Sequence, residues 1–190
     1  MKKLIYLSIL CSAPIFSSGQ NPGDATFQSP IVHDINIVFS QPSFWDSLVS
    51  HKLYADSLSL STLPIMADVT MDGTPINSIG ICLKGNSSMN YPGQKKSIKI
   101  SFNEYISGQN YDGLHSIHLN NNFLDPTYMR EKLMLDFLNV KGLEAPRCTY
   151  AKVSFNGNYI GLYKMIESID KVFLNSHYNN NYGNLFKGDQ

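Results

Sequence analysis

Apolar residues recur at every second position through much of this chain. Ile35, Ile37 and Phe39 alternate with polar residues, as do Ile65, Ala67, Val69 and Met71. The same holds for Ile79, Ile81 and Leu83, then for Ile98, Ile100 and Phe102. A period of two belongs to a strand with one buried face. Strands are therefore expected at 31–39, 65–71, 79–83 and 98–102. Asp72-Gly73 is a strong turn signal, although Thr74 to Ser78 makes that connection look longer than a tight hairpin. Ile117 and Leu119 predict a short strand running into Asn120-Asn121-Asn122. Thr149 to Phe155 and Tyr159 to Ile166 flank Asn156-Gly157, a type I′ hairpin signal and the clearest local feature of the chain.

Elsewhere the spacing changes to three and four. Ser43 caps a short helix holding Phe44, Trp45, Leu48 and Val49, and the Ser-rich run Ser57 to Thr62 is a loop ending at Pro64. Asp125 suits an N-cap and Pro126 the first helical position. Met129, Leu133 and Phe137, with Met134 and Leu138, then form an apolar stripe that stops at Gly142. Val172, Phe173 and Leu174 predict a short helix, Asn175 to Asn181 a loop, and Leu185-Phe186-Lys187 a last short strand. The expected fold class is α+β, a mainly antiparallel sheet with one principal helix at about 126–139.

The first residues break this pattern. Lys2 and Lys3 precede an apolar run, Leu4 to Phe16, and then Ser17-Ser18-Gly19. That is the layout of a signal peptide, residues 1–19, with an apolar run too short to span a bilayer comfortably. Export to the periplasm, cell surface or exterior is expected. Gln20 to Pro30 reads as a linker and 31–190 as one domain. Cys82 and Cys148 remain beyond the leader, and an oxidising compartment permits but does not require a bridge between them.

Charge removes one class of partner. Lys+Arg and Asp+Glu both number 15, so the net charge is zero, whereas a nucleic-acid surface needs a basic excess. No later apolar run is long enough for a transmembrane helix. His115 and His118 are three apart, but on a strand they point to opposite faces and no third ligand is near.

The candidate chemistry lies between Leu83 and Phe102. Lys84 precedes a Gly-Asn-Ser-Ser loop, and Lys95, Lys96 and Lys99 follow it. Loop N–H groups flanked by cations suit an anion such as a phosphate; the alternative is a long connection with solvated lysines. Lys99 stands on the polar face of its strand. Arg130 and Glu131 flank the helical stripe, placed either for surface pairing or for reaching a ligand over the sheet.

Four blocks, in order, resemble the CotH kinase family of secreted or spore-coat atypical kinases. They are Lys84-Gly85-Asn86-Ser87-Ser88 with Lys95-Lys96-Ser97-Ile98-Lys99-Ile100; Leu119-Asn120-Asn121-Asn122 through Asp125-Pro126-Thr127-Tyr128-Met129-Arg130-Glu131-Lys132-Leu133; Ala145-Pro146-Arg147; and Asn156-Gly157-Asn158-Tyr159-Ile160-Gly161-Leu162-Tyr163 with Glu167. The resemblance implies a protein-kinase-like small lobe, ATP and a divalent metal such as Mg, and phosphorylation of secreted or cell-surface proteins. Carried over residue by residue, it makes Lys84, Asn86, Ser87 and Lys99 candidates for phosphate contact. Glu131 becomes the residue that orients a lysine, Arg130 a phosphate or structural partner, and the segment from Glu167 the neighbour of adenine.

The same resemblance places the family's catalytic and metal-binding aspartates downstream, in a second lobe that is not within these 190 residues. Catalytic residues are therefore not expected here, and the fragment by itself is expected to be inactive. The alternative function is a non-catalytic surface or coat module that binds a partner through its sheet.

Overall fold

The computed structural model describes residues 21–90, 92–178, 182–183 and 185–186. The leader expected at 1–19 and the expected strand residue Lys187 lie outside them.

The alternating runs become seven strands: β1 (Val32–Val38), β2 (Ile65–Met71), β3 (Thr74–Leu83), β4 (Ile98–Ser101), β5 (Ser116–Asn120), β6 (Cys148–Phe155) and β7 (Asn158–Glu167). Among the described residues four α-helices accompany them: α1 (Asp24–Phe27), α2 (Phe44–Ser57), α3 (Arg130–Val140) and α4 (Lys171–Tyr178). The strands close into a barrel in the order β1-β2-β3-β4-β5-β7-β6. Neighbours are antiparallel except β1 and β6, which run parallel from Val32 opposite Tyr150 to Ile37 opposite Phe155.

This closure corrects the expectation of an α+β, kinase-like small lobe organised around one principal helix. The fold is a closed mixed barrel with short helices outside it. Alternation is the same whether a strand lies in an open sheet or a barrel. The closing pair joins parts of the chain far apart in sequence, which no local pattern reports.

One face of each strand fills the interior. Ile35, Ile37, Ile81, Ile98, Ile100, Ile117, Leu119, Val153 and Met165 are fully buried there. Burying an aliphatic side chain of this size contributes about 1.5–3 kcal/mol, so this interior holds the barrel together. Phe39 stacks on Phe44 of α2 at 4.2 Å, and both meet Phe155 edge-on.

Both hairpins are tight. Asn156 and Gly157 have φ of 48° and 80°, as the sequence predicts. Asp72 and Gly73 have φ of 48° and 82°, so β3 begins at Thr74 and the longer connection expected there is not formed. Instead the register shifts opposite Asp68, whose carboxylate accepts from Ser78 N–H at 2.8 Å.

Residues 21–28 are tied to the barrel. Arg147 grips the Glu167 carboxylate through Nε and Nη2 (2.8 and 2.5 Å) and Asp24 through Nη1 at 2.8 Å. Its Nη2 also donates to the Pro22 carbonyl, and the guanidinium lies 5.1 Å from the Phe27 ring centroid. Thr26 donates from N and Oγ1 to Asp112.

The helix expected at about 126–139 starts at Arg130. Asp125 still serves its N-terminus, accepting from Arg130 N–H at 3.2 Å, but residues 125–129 form a turn with Tyr128 at φ 62°. Gly142, at φ 74°, ends it as expected. No residue of α3 is buried; Leu133, Met134 and Phe137 each expose more than half of their surface.

Candidate functional site

The ends of β3 and β5, with β4 between them, lie at one rim of the barrel, where β5 ends opposite Lys164 inside β7; the outward residues there define a cleft beneath α3. Lys84 follows the last residue of β3, Asn120 ends β5, and Lys164 of β7 is the direct register partner of Asn120. Lys84 Nζ donates to Asn120 Oδ1 at 2.8 Å. Asn120 Nδ2 donates to both oxygens of Glu131, at 2.9 and 3.1 Å. Lys164 Nζ lies 3.1 Å from Glu131 Oε2 and 3.1 Å from Asp125 Oδ2. Glu131 comes from the first turn of α3. The four side chains form a continuous relay: lysine, amide, carboxylate, lysine.

Lys164 is almost fully buried. A buried ammonium survives only when paired and hydrogen-bonded, and its two carboxylates supply this. The hydrogen bond from Thr127 Oγ1 (2.6 Å), joined by those from Lys164 and Arg130 N–H, holds the Asp125 carboxyl down to about 2 despite its desolvation.

The Gly-Ser loop forms the opposite wall. Gly85 has φ 83°, and a Cβ there would collide with Ser88 Oγ. Buried Asn121 fixes the loop: its Oδ1 accepts from Ser97 Oγ at 3.1 Å and its Nδ2 donates to the Lys95 carbonyl at 2.9 Å. Lys96 Nζ donates to the Met89 carbonyl at 2.7 Å. Lys95 Nζ donates to Tyr128 Oη at 3.0 Å and sits 4.8 Å from that ring's centroid. Both lysines thus brace the loop.

Two hollows share Lys84, Asn120 and Glu131. The polar one, about 270 Å³, is lined further by Gly85, Ser88 and Lys164. The second, about 380 Å³, is walled by Pro146, Ile166, Ile169, Leu185 and Phe186 and reaches Glu167. Together they make a cleft with a cationic polar end and a more apolar end, within the size range of small-molecule sites.

The sequence-derived candidates fall in different places. Lys84 and Glu131 line the cleft. Asn86 and Ser87 are exposed on the loop and do not line it, whereas Gly85 and Ser88 do. Lys99 pairs with Cys82 and His118 across the outer barrel wall and lines a separate hollow of about 250 Å³ with Asp170 and Glu104. Arg130 is exposed, its Nη2 donating to the Leu124 carbonyl and its Nε 3.9 Å from Asp125. The Glu167 side chain is buried on Arg147, although its residue borders the apolar hollow. The lysine that Glu131 meets is Lys164, not Lys99.

Lys164 and Asn120 were missed by sequence reasoning. The available signal was a lysine inside the otherwise apolar run Tyr163–Ile166; its partner required the strand order. Among the described residues no three His, Cys, Asp or Glu are grouped to hold a metal ion. None of the described helices is long and apolar enough to cross a membrane.

With this geometry in place, two comparisons with known proteins bear on the chain. Inner spore coat protein H of Bacillus subtilis (strain 168) is 36% identical over 96 residues, which are 50% of this chain and 25% of that protein. The chain therefore spans about a quarter of that relative's length. The family described as CotH kinase protein matches residues 81–190, more than half of the sequence and all of the cleft. The chain belongs to the CotH family.

Proposed function

We propose that the cleft binds a nucleoside triphosphate, as the ATP-binding portion of an exported CotH-type protein kinase that acts on secreted or surface proteins. The observation that carries this reading is the relay Lys84–Asn120–Glu131–Lys164 at the polar end of a cleft whose other end is apolar. A carboxylate that fixes a lysine beside a Gly-Ser loop suits polyanion binding, where positioning and charge do most of the work. Phosphates would meet Lys84, Lys164 and the loop at Gly85 and Ser88, and a base would lie against Ile166 and Ile169.

Transfer of the phosphoryl group needs a base for the acceptor hydroxyl. The two glutamates bordering the cleft are both held by cations, Glu131 by Lys164 and Glu167 by Arg147. In this reading the base and the metal-binding carboxylates belong to residues outside those described. The divalent ion implied by the resemblance finds no group of three His, Cys, Asp or Glu among the described residues.

The test is ATP and adenosine binding to the chain by calorimetry, before and after Lys84→Ala. A tenfold or greater loss for ATP, with adenosine within twofold, is expected. Equal ATP affinity in the two proteins would remove Lys84 from the site.

A second reading is a non-catalytic coat or surface module. The uncovered apolar residues of α3 and the coat protein among its relatives favour it. Capture of an envelope partner that persists in the Lys84→Ala protein would support this reading over the first.

A further inference from the structure

We infer that Asn120 is a positioning residue, whose amide holds Lys84 over the cleft while keeping Glu131 turned toward Lys164. This rests on the nucleotide-binding reading for its ligand, but its geometry stands by itself. Lys84 is a donor and an ionised Glu131 is an acceptor, so the group between them must accept on one side and donate on the other. The Asn120 amide does both, at 2.8 Å to Lys84 and 2.9 and 3.1 Å to Glu131. It is fixed at the end of β5 as the register partner of Lys164. A neutral amide adds no charge beside Lys84, whereas a carboxylate in its place would offset the ammonium.

Asn120→Asp separates these roles. Ionised, the introduced carboxylate pairs with Lys84 and repels Glu131. Protonated, it again offers one O–H donor and one acceptor, the pattern of the amide. Two carboxyl groups in hydrogen-bond reach do not both ionise readily, so one proton is retained to higher pH than usual. Among the described residues the charged or titratable neighbours are Lys84, His118, Asp125, Glu131, Cys148, Lys164 and Glu167.

The experiment compares the wild type, Asn120→Asp and Asn120→Ala for ATP and adenosine binding at pH 8 and pH 5, as ratios to wild type at each pH. Expected at pH 8 is a tenfold or greater loss of ATP affinity in Asn120→Asp, with adenosine within twofold. At pH 5 its ATP deficit shrinks at least threefold, while that of Asn120→Ala does not change. Wild-type ATP affinity in Asn120→Asp at pH 8, an equal loss for adenosine, or a deficit as flat in pH as that of Asn120→Ala overturns the assignment.

Labelling of Lys84 by an amine reagent at pH 8, followed by mass spectrometry, decides the point without any nucleotide. Labelling should be several-fold slower in Asn120→Asp, because a carboxylate holds the ammonium proton, and an unchanged rate refutes the inference. If the wild type binds no ATP, the nucleotide reading fails and this labelling result still decides the role of Asn120. If Asn120→Asp is unfolded at pH 8, the Asn120→Ala protein carries the test: undiminished ATP affinity there refutes the inference.

Discussion

Asp125 accepts hydrogen bonds from Thr127, Lys164 and Arg130 N–H. In an unfolded chain its carboxyl would titrate near pH 4; in the fold it is held down to about 2, first by Thr127 and then by Lys164. A depressed carboxyl stabilises the fold above its unfolded pKa, and that contribution disappears as pH falls through the folded value. The melting temperature of the native protein should therefore exceed that of Asp125→Asn by a constant margin above pH 4. The margin should close between pH 4 and pH 2, followed by circular dichroism; a margin still intact at pH 2 would exclude this linkage. Asp125 shows how a residue gains a second task on folding. Its sequence context marks it as a helix cap, and it does accept from the start of α3. Its stronger engagement, with the buried ammonium of Lys164, joins two elements that the sequence does not place together.

At the scale of elements, α3 departs furthest from its sequence pattern. Spacings of three and four at Met129, Leu133 and Phe137 describe a face made for burial, yet these side chains are about half exposed. The helix rests on β6 and delivers Glu131 to the cleft, with its apolar residues turned to solvent. Exposed contiguous apolar residues favour association. The chain is expected to self-associate in sedimentation velocity. Leu133→Ser combined with Phe137→Ser should shift it toward monomer and, because both sites are exposed, change stability by under about 0.5 kcal/mol each. Unchanged association would show that this face is not the cause. The hairpins behave differently. Asp72-Gly73 and Asn156-Gly157 impose their turns locally, because left-handed φ at both central residues is available to these pairs at little cost.

For the whole molecule, barrel closure decides the state of the cysteines. Cys82 on β3 and Cys148 on β6 both carry outward side chains, three strand spacings apart one way round and four the other. At about 4.8 Å per spacing they stand on opposite walls, beyond the ~7 Å Cα reach of a disulfide, and both are free thiols. Burial, aided by the Glu131 charge, pushes the Cys148 thiol up to about 12, and burial raises Cys82 as well. Cys82 and Cys148 should both react with a chromogenic thiol reagent in denaturant, and Cys148 should resist it in the native state at pH 8. Rapid native modification of Cys148 would contradict its placement beneath α3.

Local sequence specified the seven barrel strands, though not the further strand expected at 185–187, together with both turn dipeptides, the end of α3 and the two residues, Lys84 and Glu131, that line the cleft. Each of these follows from local physics: a period of two, a left-handed φ, or the ordered blocks shared with a family. Tertiary structure alone decided the closed barrel, the exposure of α3, the burial of Glu167 on Arg147 and the choice of Lys164 over Lys99 as the partner of Glu131. Those outcomes depend on which strands become neighbours. The parallel pairing of β1 with β6 and the register that sets Asn120 beside Lys164 bring distant parts of the chain together, and nothing in the spacing of either segment encodes its partner.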